Sequence, residues 1–237
     1  MTLARGTFVT LGGGGFLMSD DGSSLIDDYT LALTGKSRPK VCYVGTAAGD
    51  DPGMAGRFQA AFEGRAETSV LSLFGRPEWG YADPAILLDQ DVVYVGGGST
   101  ANLLALWRLH GLPEVLEQAA ANGTIMTGVS AGMNCWYEAC STDSYGPLAP
   151  LDDGLGFLPG SACPHYFAEA DRQQKFQRWV ADGSLPEGYA ADDHAALVWR
   201  DGVLAEVVSE RPDASAFSVT RDGAQPVEKS LYVRYLG

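Results

Sequence analysis

A chain of 237 residues that is 46% hydrophobic and 19% charged is long enough to bury a large core as one domain spanning residues 1–237. Its net charge of −14 argues against nucleic acid and anionic membrane as partners, and no apolar run approaches the length that spans a bilayer. The first residues lack the long apolar stretch of a signal peptide, and Cys42, Cys135, Cys140 and Cys163 show neither metal-ligand spacing nor a paired pattern, so a reduced, cytoplasmic protein without a metal is expected.

Thr7–Leu11 reads as a first strand that runs into Gly12-Gly13-Gly14-Gly15. Glycines at a strand's end suggest a tight loop where the backbone comes close to another group, and the run does not fit a dinucleotide-binding turn. A helix follows from Leu25 to Thr34, a strand over Lys40–Val44, a helix over Met54–Phe62 and a strand over Ser69–Leu73. Asp91–Val95 is a further strand, closed by Gly96-Gly97-Gly98-Ser99-Thr100. Ser99 or Thr100 can cap the helix Ala101–His110, and Pro113 suits the start of another that stops at Asn122-Gly123. Strands alternating with helices at this rhythm predict a mostly parallel α/β sheet with helices on both faces. After Tyr145 the pattern changes. Residues 146–160 read as a surface loop and Gln173–Val180 as a helix. Short strands at Ala196–Trp199, Val203–Val208 and Ala216–Thr220 flank the hairpin signal Asp201-Gly202, so antiparallel strands are expected near the C-terminus.

Between these halves lies Thr124-Ile125-Met126-Thr127-Gly128-Val129-Ser130-Ala131-Gly132. An apolar, β-branched run entering Gly-x-Ser-x-Gly, with a helix expected over Met133–Glu138, has the strand, turn and helix context of a nucleophile elbow. Such a turn projects the Ser130 hydroxyl from the carboxyl edge of the sheet, and the loop at 96–100 is expected beside it. A serine needs a base to take its proton, and the base needs a group that holds its tautomer. Of three histidines, His110 ends a helix and reads as a capping or surface residue, and His194 follows two aspartates in a loop that could line the cleft. His165, fixed by Pro164 and flanked by Tyr166 and Phe167, is the best base candidate. For the acid, Asp143 lies beyond the elbow helix where the chain can turn back, and Glu138 is the substitute if that helix is short. Either gives the chain order Ser, acid, His found in elbow hydrolases.

Gly96-Gly97-Gly98-Ser99-Thr100 with Asn102-Leu103-Leu104, then Gly128-Val129-Ser130-Ala131-Gly132, Thr142-Asp143 and Pro164-His165-Tyr166 together resemble the peptidase E family of aspartyl dipeptidases, with cyanophycinase a more distant relative. The likeness covers nearly the whole chain. It implies a fold related to class I glutamine amidotransferases, no cofactor, and cleavage of dipeptides with an N-terminal aspartate. On the matched positions it implies Ser130 as nucleophile, His165 as base, Asp143 as third member, and the backbone N–H groups of Gly98 and Ala131 as oxyanion hole. In those enzymes an arginine after a longer segment reads the substrate's aspartate. Here the segment is short and Arg172 is the nearest equivalent, in line with Lys175 and Arg178 at helical spacing. The alternatives are a cyanophycinase-like or other acyl hydrolase using the same residues, and a non-catalytic small-molecule binding module. Aromatics such as Trp79 and Tyr81 leave room for a homodimer.

Overall fold

The computed structural model describes residues 5–75, 80–168 and 171–237. The first half of the chain alternates strand and helix: β1 (Thr7–Leu11), α1 (Leu25–Leu33), β2 (Lys40–Val44), α2 (Pro52–Phe62), β3 (Glu67–Leu71), β4 (Val92–Val95), α3 (Thr100–Leu109), α4 (Leu112–Ala121), β5 (Ile125–Val129) and the short α5 (Ala131–Asn134). Strands β1, β5, β4, β2 and β3 lie side by side in that order, all parallel. They read as continuous apolar runs because both faces are covered; every residue of β4 and β5 is buried. On one face Val9, Leu11, Tyr43 and Tyr94 pack against Ile26 of α1 and Phe58 and Phe62 of α2. On the other, Phe8, Val44, Val93 and Val95 meet Leu103 and Trp107 of α3 and Leu116 of α4. Phe8 and Val9 point to opposite faces, as the two-residue period of a strand requires.

The second half adds β6 (Tyr137–Thr142), β7 (Ala149–Leu151), β8 (Leu158–Cys163), α6 (Arg172–Asp182), β9 (Gly188–Ala191), β10 (Ala195–Arg200), β11 (Val203–Ser209), β12 (Ala216–Asp222), β13 (Gln225–Ser230) and β14 (Arg234–Tyr235). Two of these strands, β10 and β11, extend the first sheet antiparallel beyond β1, and β14 ends it. Asp201 and Gly202 turn between β10 and β11 with φ of 50° and 76°, the left-handed pair that the dipeptide signals. The remaining strands make a second sheet in the order β13-β12-β9-β8-β6-β7. Its inner side chains, Tyr137, Leu158 and Ala162, join the cluster of Phe8 and Trp107, and α6 covers its outer side through Phe176 and Val180.

Four expectations change. The helix after the elbow ends at Asn134 rather than Glu138, because Trp136 and Tyr137 enter the core. Trp136 stacks on Phe157, and the Tyr137 hydroxyl meets Thr10 and the Trp199 N–H, so Glu138 sits on a strand. The third strand begins two residues earlier, at Glu67. The stretch at 146–160 contains β7 and the start of β8. The basic line on α6 is divided: Arg172 turns inward with Phe176 and Val180, whereas Arg178 is exposed. Trp79 lies outside the described residues; Tyr81 is exposed, its hydroxyl 3.4 Å from Nδ1 of His110, which caps the C-terminus of α3.

Helix α1 also buries a carboxylate. Asp27 accepts hydrogen bonds from the Phe16 N–H at 2.7 Å and the Tyr94 hydroxyl at 3.2 Å. Loss of hydration outweighs those bonds and raises its carboxyl from 3.8 to about 7, with the charge of Glu210 adding to the shift. The raised value means the folded state holds the proton more tightly than the unfolded chain. The stabilisation is therefore fully present below 3.8 and is lost as pH rises through about 7. An asparagine can keep one acceptor for Phe16 and offer its amide to the Tyr94 oxygen, mimicking the protonated acid. Asp27→Asn is expected to gain stability over wild type as pH rises from 5 towards 7, by up to about 1.4 kcal/mol per pH unit, and the gain should level off above that. Urea unfolding of both proteins across that range checks this; a difference independent of pH would show that Asp27 does not titrate there.

Candidate active site

Ser130 follows β5, in the interior of the first sheet, at φ 58° and ψ −110°. A non-glycine residue in that region is strained and holds only where its surroundings fix it. Here the Ser130 N–H donates to the Leu11 carbonyl at 3.1 Å, and the Ser130 carbonyl accepts from Met133 and Asn134, each at 2.9 Å. The elbow glycines let the elements close up. A Cβ on Gly128 would lie 2.4 Å from the Gly132 carbonyl oxygen, and one on Gly132 would lie 2.3 Å from that of Val95. The loop after β4 passes beside the serine, as expected. A Cβ on Gly97 would be 3.4 Å from the Ser130 Cβ and 3.8 Å from its Oγ. Gly98 takes φ 133°, and the next residue, Ser99, donates its N–H to Ala47 at 2.9 Å and caps α3. Ala131 is the first, buried residue of α5.

His165 follows β8, again at positive φ (53°), and donates its N–H to the Gly12 carbonyl at 3.2 Å. Adjacent carbonyls at the end of β1 thus hold the backbones of Ser130 and His165. The ring's Nδ1 lies 2.5 Å from Oδ1 of Asp193. Asp193 stands between β9 and β10, bridged to Gly13, and a Cβ on Gly13 would sit 1.9 Å from that same Oδ1. Close approach of the kind suggested by the glycine run is thus made to the histidine's carboxylate. The bond from His165 holds the Asp193 carboxyl below the usual carboxylate range, helped by the fields of the His165 and His194 rings and of Arg172, against partial burial. An ionised Asp193 can only accept, so the shared proton sits on Nδ1, and in the neutral ring Nε2 carries a lone pair. That is the state a general base requires.

Neither acid expected from the sequence occupies this position. Glu138 points its carboxylate at the Gly160 N–H, 2.9 Å away. Asp143 is exposed in the turn after β6, where its carbonyl accepts from Gly146. Asp193 escapes any reading that seeks the acid before the histidine in chain order. Its signal lies in Asp192-Asp193-His194, an acidic pair in a loop between two strands. His194, read as a residue that could line the cleft, borders a cavity with Asp193 and Phe167, donates its N–H to Gly13 at 3.0 Å and turns its ring to Glu210. Arg172 opens α6 only 3% exposed, near enough to Cys140 and Asp193 for its charge to act on both. Among the described residues no group of three or more His, Cys, Asp or Glu side chains is arranged to hold a metal, and no helix is long and apolar enough to cross a membrane.

The model of peptidase family S51 matches residues 8–207, which span Ser130, His165, Arg172 and Asp193. The chain belongs to peptidase family S51. It is accordingly a serine-type peptidase, similar to peptidase E. It is 42% identical over 230 residues to the Bacillus subtilis (strain 168) protein named uncharacterized peptidase YgaJ, covering 97% of this chain and 98% of that one. To peptidase E of Streptomyces coelicolor (strain ATCC BAA-471 / A3(2) / M145) it is 29% identical over 157 residues, 65% of this chain and 63% of the relative. In fold it is similar to a peptidase from an acI-B1 actinobacterium, with a TM-score of 0.69 and 16% identity, covering 98% of this chain and 96% of that one. The S51 family assignment and the mostly parallel α/β architecture agree with the resemblance read from the motifs.

Proposed function

We propose that this S51 peptidase hydrolyses small peptides, dipeptides with an N-terminal aspartate foremost, through Ser130, His165 and Asp193. The observation that carries the reading is the 2.5 Å contact between His165 and Asp193, held beside a strained elbow serine by neighbouring carbonyls of β1. In this scheme Ser130 Oγ attacks the scissile carbonyl carbon while His165 Nε2 takes its proton. The imidazolium, stabilised by Asp193, returns that proton to the leaving amine, and water then releases the acyl group by the same steps in reverse roles. We assign the oxyanion to the backbone N–H groups of Gly98 and Ala131. The approach of the Gly97–Gly98 loop to Ser130 supports this, as does the place of Ala131 directly after the serine. Soluble cytoplasmic peptides suit a chain whose cysteines are buried and form no disulfide.

The aspartate preference rests on Arg172. With a net charge of −14 the protein repels an acidic substrate at long range, so a cation close to the site must supply the attraction. Arg172→Ala is expected to lower kcat/KM for Asp-X dipeptides by about 2–4 kcal/mol, the size of effect seen when a buried charge loses its partner. Hydrolysis of neutral dipeptides should fall much less, through the weaker field left at Asp193. A panel of Asp-X, Ala-X and N-blocked peptides tests both parts. Equal losses on acidic and neutral substrates would make Arg172 a structural residue, and absence of Asp-X hydrolysis by the wild type would overturn the specificity.

A further inference from the structure

The glycine-rich exit of β1 is gripped from two sides. Toward the serine, the carbonyls of Leu11, Gly12 and Gly13 accept in turn from the N–H groups of Ser130, His165 and His194. On the other side Gly14 donates its N–H to Met18 Sδ at 3.0 Å, and the two N–H groups after it end on carboxylates: Gly15 donates to Glu210 Oε1 at 3.2 Å and Phe16 to Asp27. Glu210 collects more than the turn. Its Oε1 lies 2.8 Å from Nδ1 of His194, its Oε2 accepts from the hydroxyl of Ser24, the N-cap of α1, at 2.5 Å, and its own N–H donates to the His194 carbonyl at 3.0 Å. One carboxylate thus joins three separate segments. The pair is well shielded, with side-chain exposures of 12% for His194 and 9% for Glu210.

His194 is the residue directly after Asp193 and takes φ 67°, a conformation that needs support from its surroundings. The Asp193 carboxylate lies hard against Gly13, so a displacement of the turn or of residue 194 moves the oxygen that meets His165. We propose that Glu210 and His194 are positioning residues, which lock the glycine turn, the start of α1 and the backbone after Asp193 into one block and so hold the Asp193 carboxylate on His165. The proposal rests on the reading of Ser130, His165 and Asp193 as one catalytic unit. It predicts that losing the lock lowers the reactivity of Ser130 without weakening substrate binding, because neither residue is assigned to the substrate.

Two readouts test this in the full-length protein. One is the far-downfield proton NMR signal of the His165 Nδ1–H···Asp193 bond, identified by its loss in His165→Ala; the other is the rate at which a fluorophosphonate labels Ser130. Neither needs a peptide substrate, so they stand apart from any failure of the proposed specificity. Glu210→Ala is expected to broaden or abolish the NMR signal and slow labelling by roughly 10–100-fold, the range typical of groups that orient a reacting residue. With an active substrate, kcat should fall likewise while KM stays within about twofold. Glu210→Gln retains an oxygen acceptor and the side chain's size, and should restore most of both readouts. If Glu210→Ala does not fold, His194→Asn serves as the deciding variant. Asparagine tolerates the left-handed backbone but cannot reproduce the ring's contact with Glu210. A folded Glu210→Ala or His194→Asn protein that keeps the downfield proton and the wild-type labelling rate, even with a lowered Tm, would overturn the proposal.

Discussion

Ser130→Ala and His165→Ala should each abolish essentially all peptide hydrolysis, a loss on the order of 10⁶ in kcat if the residues act as one unit, and the double variant should be no worse than either. The non-additivity is the informative part. Without the hydroxyl there is no nucleophile for the base to activate, and without the base the serine stays protonated, so the second removal costs nothing further. Both variants should fold. Ser130 and His165 already adopt positive φ, alanine there is no more strained than the native residue, and the backbone bonds to Leu11 and Gly12 do not involve the side chains. Steady-state hydrolysis and fluorophosphonate labelling provide the measurements. Activity within a few fold of wild type in Ser130→Ala, or a label mapped to another residue, would remove serine chemistry from this site.

Asp193→Asn carries the second large effect, an expected loss of about 10⁴ in kcat, the scale set by the corresponding change in a well-studied triad. The geometry gives the reason. Asp193 accepts a hydrogen bond from the Nδ1–H of His165 at 2.5 Å, and that leaves Nε2 free to accept. An asparagine can place its amide against Nδ1 and so favour the tautomer with the proton on Nε2, which cannot act as a base. Asp143→Asn should change kcat little, since Asp143 lies in an exposed turn. Glu138→Gln should also change it little, because an amide oxygen can replace the carboxylate that meets the Gly160 N–H. Kinetics of the three variants on one peptide rank them. A loss in Asp143→Asn or Glu138→Gln as large as that in Asp193→Asn would return the acid's role to the segment before His165.

The parallel half of the fold is legible in the sequence because its signals are local and agree with one another. β1 and β2 begin and end where their apolar runs do, Ser99 caps α3, and the Asp201-Gly202 turn joins the pair it announces. The elbow is legible for the same reason: strand, glycines and serine are contiguous. What escapes depends on contacts distant in sequence. Residues Met133–Glu138 carry a helix-compatible pattern, yet burial of Trp136 and Tyr137 between the sheets draws the chain into β6. β13 is exposed throughout and mostly polar, so the alternation that marks a half-buried strand is absent from it, and pairing with β12 defines it. The carboxylate of Asp193 reaches His165 across 28 positions of chain, and its place is set by Gly13. No spacing rule within the sequence expresses that three-way meeting, although the glycine run does announce that something comes close.

The row of carbonyls at the end of β1 also bears on how activity arises in time. β1 is paired on one side with β5 and on the other with β10, and the Thr127 hydroxyl bond to Val9 alone spans 118 positions. Such pairings require large loops to be closed before they contribute, which makes them late events in folding. On the proposed reading, the elbow serine is synthesised before β10, whose pairing with β1 accompanies the placing of Asp193 against His165. Nothing short of β10 completes the site. If Ser130, His165 and Asp193 act as one unit, a chain truncated before residue 195 is expected to be inactive. Recovery of activity during refolding is accordingly expected to follow pairing of β1 with both β5 and β10.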